Sequence, residues 1–283
     1  MESTEGPSLR FDKAPRVETL KTKYRAVTTL YFCWKGKYHL DLHRDCEDWA
    51  GIYPYSNTSF TAIVADGVST QSRSRKGAEL ACESLGQSFS TPFKEDSTPS
   101  QVFAAGRERF LSRCREDSGL AAPPETPLDP AAAADLDLNI YATTALCLWT
   151  DGEQYWAACV GDGAIYSIHD QGARARRIAH VDKEGFANEI CPLTSENWNK
   201  GYANSGEVPM PLGDIEGFCV LTDGLSESIG DANLYFQTIW PELKARLDNP
   251  SGMNEYAAAF CEHWEANKFS DDDKALLAVF FSS

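Results

Sequence analysis

What the chain lacks already excludes several classes. No apolar stretch approaches the roughly 20 residues that a membrane-spanning helix needs. The opening MESTEGPSLRFDKAPR also has no basic segment followed by an apolar one, the order of a secretion signal. A cytoplasmic protein is expected. The nine cysteines, spread evenly from Cys33 to Cys261, are odd in number and never form a C-x-x-C pair. That argues against a disulfide framework or a thiolate zinc site and leaves small, reduced core residues. Basic residues are scarce: 26 Lys and Arg stand against 42 Asp and Glu, a net charge of −16 with a pI near 4.7. Nucleic acid and anionic membranes are held by neutralising phosphate, so neither is expected as a partner. Also absent are a repeat of fixed period and the strict β-α alternation of a doubly wound parallel sheet.

What is present supports a folded core. The 283 residues are 42% hydrophobic and 11% aromatic. Residues 1–22 are polar, aperiodic and carry two prolines, which predicts a flexible N-terminal arm with structure beginning near Tyr24. From there AVTTLYFCW and NTSFTAIVAD read as strands, rich in β-branched and aromatic residues. Ala78, Ala81, Cys82, Leu85 and Phe89 then recur at helical spacing. Thr98-Pro99-Ser100-Gln101 is a capping-box start for a second helix, with Phe103, Gly106, Phe110 and Cys114 as its inner stripe. Both helices are amphipathic and should lie on a sheet.

Residues 116–138 mix Pro, Ala and acids without a period and read as a surface loop within one domain spanning 23–283. A meander of ATTALCLWT, QYWAACVG and AIYSIHD comes next, separated by Asp151-Gly152 and Gly161-Asp162-Gly163. Residues 172–212 read as an irregular, flap-like excursion. GFCVLTDG is a further strand, Met253, Tyr256, Ala257, Phe260 and Trp264 mark a last helix, and KALLAVFF is the final strand. This layout predicts an α+β fold of antiparallel sheets covered by helices.

Two stretches end alike: IVADGVS at 63–69 and VLTDGLS at 220–226. A strand apolar on both faces is buried, and an Asp-Gly at its end puts a carboxylate at the sheet edge where the chain turns sharply. Asp272 or Asp273, before the last strand, and Glu47-Asp48 in HRDCEDWAGIY bring further acids to strand ends. Carboxylates packed closely repel unless a cation holds them. Oxygen-only ligation selects Mg²⁺ or Mn²⁺, and two such ions can activate water and clamp a phosphoryl group. The plainer reading is that Asp-Gly is the commonest hairpin dipeptide, and Asp151-Gly152 is expected to be a turn of that kind. At Asp66 and Asp223 the residues alone leave both readings open, although each Asp-Gly there leads through Ser-rich sequence into a helix, not into a partner strand.

The ordered set CEDWAGIY, FTAIVADGVSTQSRSRKGAELAC, ATTALCLW, WAACVGDGAIY, FCVLTDGLSES and SDDDKALLAVFF resembles the type 2C metal-dependent serine/threonine phosphatases, above all their compact bacterial members. The likeness spans residues 28 to 281 or so. It implies a four-layer α-β-β-α sandwich of two antiparallel sheets flanked by helices, holding two Mn²⁺ or Mg²⁺ ions and a weaker third. By resemblance, Asp66 bridges two ions with the Gly67 carbonyl beside it, and Asp223 and Asp272 hold the second ion. Glu47 and Asp48 orient metal-bound waters, and Asp162 serves the third ion. The implied reaction is attack of a metal-bridged water on phosphoserine or phosphothreonine of a protein partner, a Ser/Thr kinase or its target.

The chain departs from the family in three places. Val68-Ser69 succeed Asp66-Gly67 where a histidine acid often stands. The phosphate-gripping arginine's usual place is His43, with Arg44 one residue later; either could bind the substrate phosphate, and Arg44 is the expected grip, since a guanidinium takes phosphate bidentately. The run Asp271-Asp272-Asp273 leaves the register of the last motif open, and Asp272 is taken as the ligand. These departures support the alternative of a phosphatase-fold binding or sensor module. His39 and His43, four apart in a stretch read as extended and without a third ligand, are not expected to hold zinc.

Overall fold

The strands Ser59–Ala65 and Lys274–Phe281 are buried at every position, which an antiparallel strand achieves only when both faces of its sheet are covered. Phe60, Ala62 and Val64 point into one apolar cluster while Ile63 and Ala65 point into another. The last strand alternates likewise, with Ala275, Leu277 and Val279 on one side and Leu276, Ala278 and Phe280 on the other. The structure, a computed structural model, describes residues 10–55, 58–89, 97–119, 137–181, 191–247, 252–267 and 269–281.

Two antiparallel sheets result. The first runs β1 (Phe11–Lys21), β2 (Ala26–Trp34), β12 (Lys274–Phe281), β11 (Gly217–Leu221), β7 (Ala164–His169) and β8 (Arg174–Ala179) from edge to edge. The second runs β10 (Met210–Pro211), β6 (Gln154–Val160), β5 (Ala145–Thr150), β4 (Ser59–Ala65) and β3 (Trp49–Tyr55), with β9 (Tyr202–Asn204) also paired to β6. Val27, Tyr31, Phe60, Leu148, Phe218 and Leu277 are among the residues packed between the sheets. Helices α2 (Ser74–Phe89) and α3 (Pro99–Asp117) cover the outer face of the second sheet. After β11 comes the single turn α4 (Asp223–Ser226), and α5 (Ala232–Leu247) and α6 (Met253–Ala266) cover the outer face of the first sheet. The order of layers is α-β-β-α. Helix α3 starts at the expected capping box, Thr98 accepting from the Gln101 amide and the Gln101 side chain accepting from Thr98 N, an arrangement worth about 1 kcal/mol.

Several expectations are corrected. The arm predicted at 1–22 is, from Phe11 to Lys21, an edge strand on β2. Register shifts between Phe11 and Lys13 and between Lys13 and Arg16 accommodate Pro15, and an edge position tolerates the missing amide. The stretch 172–212 contains β8, β9 and β10, so it is less irregular than expected; residues 182–190 of it lie outside the described residues. The loop expected at 116–138 lies outside them from 120 to 136, with α3 running to Asp117 before it. His39 is not in extended chain but in the short helix α1 (Lys37–Asp41). The meander is broken as well: Asp151-Gly152 does join a β5–β6 hairpin, but β6 and β7 belong to different sheets. Gly161-Asp162-Gly163 is the crossing between them, its glycines at φ 87° and 91°.

Candidate active site

Antiparallel pairing decides which strand ends meet. Trp49 pairs with Ala65, which places Asp48, just before β3, beside Asp66, just after β4. Leu221 pairs with both Leu276 and Ala164, so Asp223, Asp272 and Asp162 share one end of the first sheet. Both sets lie at the same end of the sandwich, and carboxylate oxygens of Asp66, Asp162 and Asp223 come within 4.8 Å of one another.

Such crowding raises the acids' affinity for protons. Burial is the main cause at Asp66, with the charges of Asp223, Asp48 and Asp272 adding to it, and its carboxyl is pushed well above the usual range. Asp48 is pushed up in the same way by burial and then Asp273, against a hydrogen bond from Thr222 Oγ1 at 2.7 Å. Asp223 is raised to about 7 by burial and by Asp162 and Asp272, and burial also raises Asp272. A divalent cation relieves all of these at once, and a set of carboxylates suits Mg²⁺ or Mn²⁺ better than softer ions. The residues present fit such ions.

Close backbone packing fixes the acids. The Asp66 amide donates to Thr144 Oγ1, and its carbonyl accepts from Thr144 N and Thr143 Oγ1, each at 2.8 Å. Gly67 donates to Glu47 O, and a Cβ there would lie 2.7 Å from Ser74 C. Gly224 is tighter still, since a Cβ would fall 1.9 Å from Asp273 O. Gly224→Ala is therefore expected to cost about 3 kcal/mol in urea unfolding and to weaken metal binding by moving Asp223. Arg44 Nη1 donates to Ser69 O at 2.7 Å and Nη2 to Glu47 Oε1, holding its partly exposed guanidinium beside the Asp66–Gly67 turn. His43 is exposed at φ 53°. A pocket of about 440 Å³ adjoins the acids, sharing Asp162 and Gly163 and lined further by Arg177, His180, Ser226 and Glu227.

The family model described as protein phosphatase 2C matches residues 35–272. The chain belongs to this family. Among solved structures, a bacterial serine phosphatase is similar at a TM-score of 0.58 and 14% identity, over 90% of this chain and 98% of that one. The serine/threonine phosphatase Stp1 from Staphylococcus aureus is similar at a TM-score of 0.56 and 16% identity, over 95% and 99%. RsbX in complex with magnesium is similar at a TM-score of 0.51 and 13% identity, over 94% and 100%. At such identities these likenesses show the fold. No curated protein matches the chain in sequence.

Within this phosphatase 2C fold the Glu47 carboxylate is held by Arg44 and lies 3.7 Å from His39, while Asp48 adds its charge to that on Asp66 in the cluster. Asp272 faces it electrostatically, adding to the charge on Asp66 and Asp223, with its Oδ1 accepting a backbone amide, that of Asp273, whereas both oxygens of the Asp273 carboxylate are bonded to the chain. His39 and His43 do not converge, since His39 is buried against Asp273 while His43 is exposed. Cys46 is buried, and burial with Asp273 and Asp48 nearby pushes its thiol up, which disfavours the thiolate. Sequence reasoning missed Thr143, Thr144, Thr222 and Lys274. Lys274 is fully buried, donating to Asp272 O at 2.6 Å and lying 3.5 Å from Glu265 Oε1. Its only signal was a lone cation opening an otherwise apolar strand.

Proposed function

We propose that the chain is a Mg²⁺- or Mn²⁺-dependent phosphatase acting on phosphoserine or phosphothreonine of protein substrates. The observation that carries the reading is the meeting of Asp66, Asp162 and Asp223 within 4.8 Å, backed by Asp48 and Asp272. The family, with the serine and serine/threonine phosphatases of the same fold, supports this substrate class. Asp66 would hold two ions with the Gly67 carbonyl beside it, Asp223 and Asp272 would hold the second of them, and Asp162 would serve a weaker third. Glu47 and Asp48 orient water, Asp48 being itself fixed by Thr222. Ions bound there would neutralise the acids, hold phosphate oxygens and lower the pKa of water.

The phosphate grip is assigned to Arg44, whose orientation is fixed by Glu47 and the Ser69 carbonyl and whose side chain stays partly exposed. Val68 comes directly after Gly67, so the place where the family often has a histidine acid holds no side chain able to protonate the leaving alkoxide. The test is hydrolysis of p-nitrophenyl phosphate, then of phosphoserine and phosphothreonine peptides, with Mn²⁺ at millimolar level or with EDTA. Turnover should appear with Mn²⁺ and vanish with chelator. No turnover with any divalent ion, together with no metal binding in calorimetry, would replace this reading by that of a binding module.

A further inference from the structure

Asp273 stands next to a candidate ligand, yet its carboxylate is occupied by the chain. Oδ1 accepts from Gly36 N at 2.7 Å, and Oδ2 accepts from Glu47 N at 2.5 Å and lies 2.8 Å from His39 Nδ1. Its carbonyl packs where a Cβ on Gly224 would stand, and Tyr38 N donates to the neighbouring Asp271 O at 2.9 Å. One buried acid thus touches the segment bearing Glu47 and Asp48 and the turn bearing Asp223, and is covalently joined to Asp272. His39, 1% exposed, completes the link, with Nδ1 on Asp273 and Nε2 3.7 Å from Glu47 Oε2. Nε2 has no hydrogen bond of its own among the described residues.

We infer that His39 and Asp273 are positioning residues, a buried clamp that sets Glu47 and Asp48 against Asp272 and Asp223 so that the ligands stand at metal-binding spacing. This rests on the metal-dependent reading above. Groups that orient metal ligands from behind typically carry 10–100-fold in affinity. A helix turn supplies the histidine: α1 lies between β2 and the acidic pair, and its hydrogen bonds to 271–273 make it part of the site.

The experiment is titration calorimetry of the metal-free chain with Mn²⁺, comparing the parent with His39→Ala, His39→Asn and His39→Gln, and with fold checked by circular dichroism. Asn can donate to Asp273 from near the Nδ1 position, whereas Gln reaches only towards Glu47. His39→Ala should weaken Mn²⁺ binding at least tenfold while remaining folded, and Asn should recover most of the loss while Gln recovers less. A merely structural role would lower the unfolding midpoint of His39→Ala without this pattern. Should the alanine variant not fold, a clear Mn²⁺ advantage of Asn over Gln carries the same prediction. Affinity in His39→Ala within twofold of the parent, or Asn no better than Gln, overturns the clamp. A parent that binds no Mn²⁺ sinks the metal-dependent reading itself, and the positioning role with it.

Discussion

Replacing Asp66 by Asn is expected to lower Mn²⁺-dependent hydrolysis of p-nitrophenyl phosphate about a thousandfold, because a bridging carboxylate supports both ions and their joint effect is worth about 4 kcal/mol. The amide keeps the size and one acceptor of the side chain but not its charge. The backbone ties from Asp66 to Thr143 and Thr144 do not involve the side chain, so the variant should fold. Without metal it should also be more stable than the parent near pH 8, since the cost of burying this carboxyl beside Asp223 and Asp48 is gone. Steady-state rates, with calorimetry for Mn²⁺ affinity and urea unfolding in EDTA, check all three. Turnover within tenfold of the parent would remove Asp66 from the bridging place.

The second large effect is on stability against pH. Asp223, ordinarily near 3.8, is raised to about 7 in the folded chain, and Asp66 and Asp48 are raised as well, each chiefly by burial. A group raised on folding binds its proton more tightly in the native state. Its contribution is therefore fully present below the unfolded pKa and is lost as pH rises through the folded one. His39 acts in the same sense: burial alone would lower its pKa, but Asp273 and Glu47 outweigh that and raise it. In EDTA the chain should lose about 3 kcal/mol between pH 5 and pH 8 from Asp223 alone. Mn²⁺ replaces the protons, so in its presence the loss should nearly disappear, and binding at pH 6 should release protons, seen as a dependence of the calorimetric enthalpy on buffer. Urea midpoints across this range measure the slope. A metal-free chain as stable at pH 8 as at pH 5 would mean that these carboxylates spread apart when no ion is bound.

Much of the core was legible because its strands are apolar on both faces. β2, β4, β5, β6, β7, β11 and β12 each stand out as apolar runs, and α3 declares itself by its capping box. What escaped lies at edges and surfaces, where packing no longer filters composition. β1 contains a proline and alternates only weakly, β8 is the basic run RARRIA, and α5 carries Pro241 inside a helix. Each is held by a neighbour that the local sequence does not name.

The candidate site divides the same way. The sequence by itself determined the acids and their places at strand ends, because a buried apolar strand has to stop where a charged Asp and a turning Gly follow it. Only the tertiary structure decided which ends meet, through the register of β3 on β4 and of β11 on β12 and β7. It also separated Asp272 from Asp273, two adjacent identical residues that differ only in what faces them: the acidic cluster in one case, His39 and two backbone amides in the other. Register and contact across the fold are long-range quantities, and no window of sequence contains both partners.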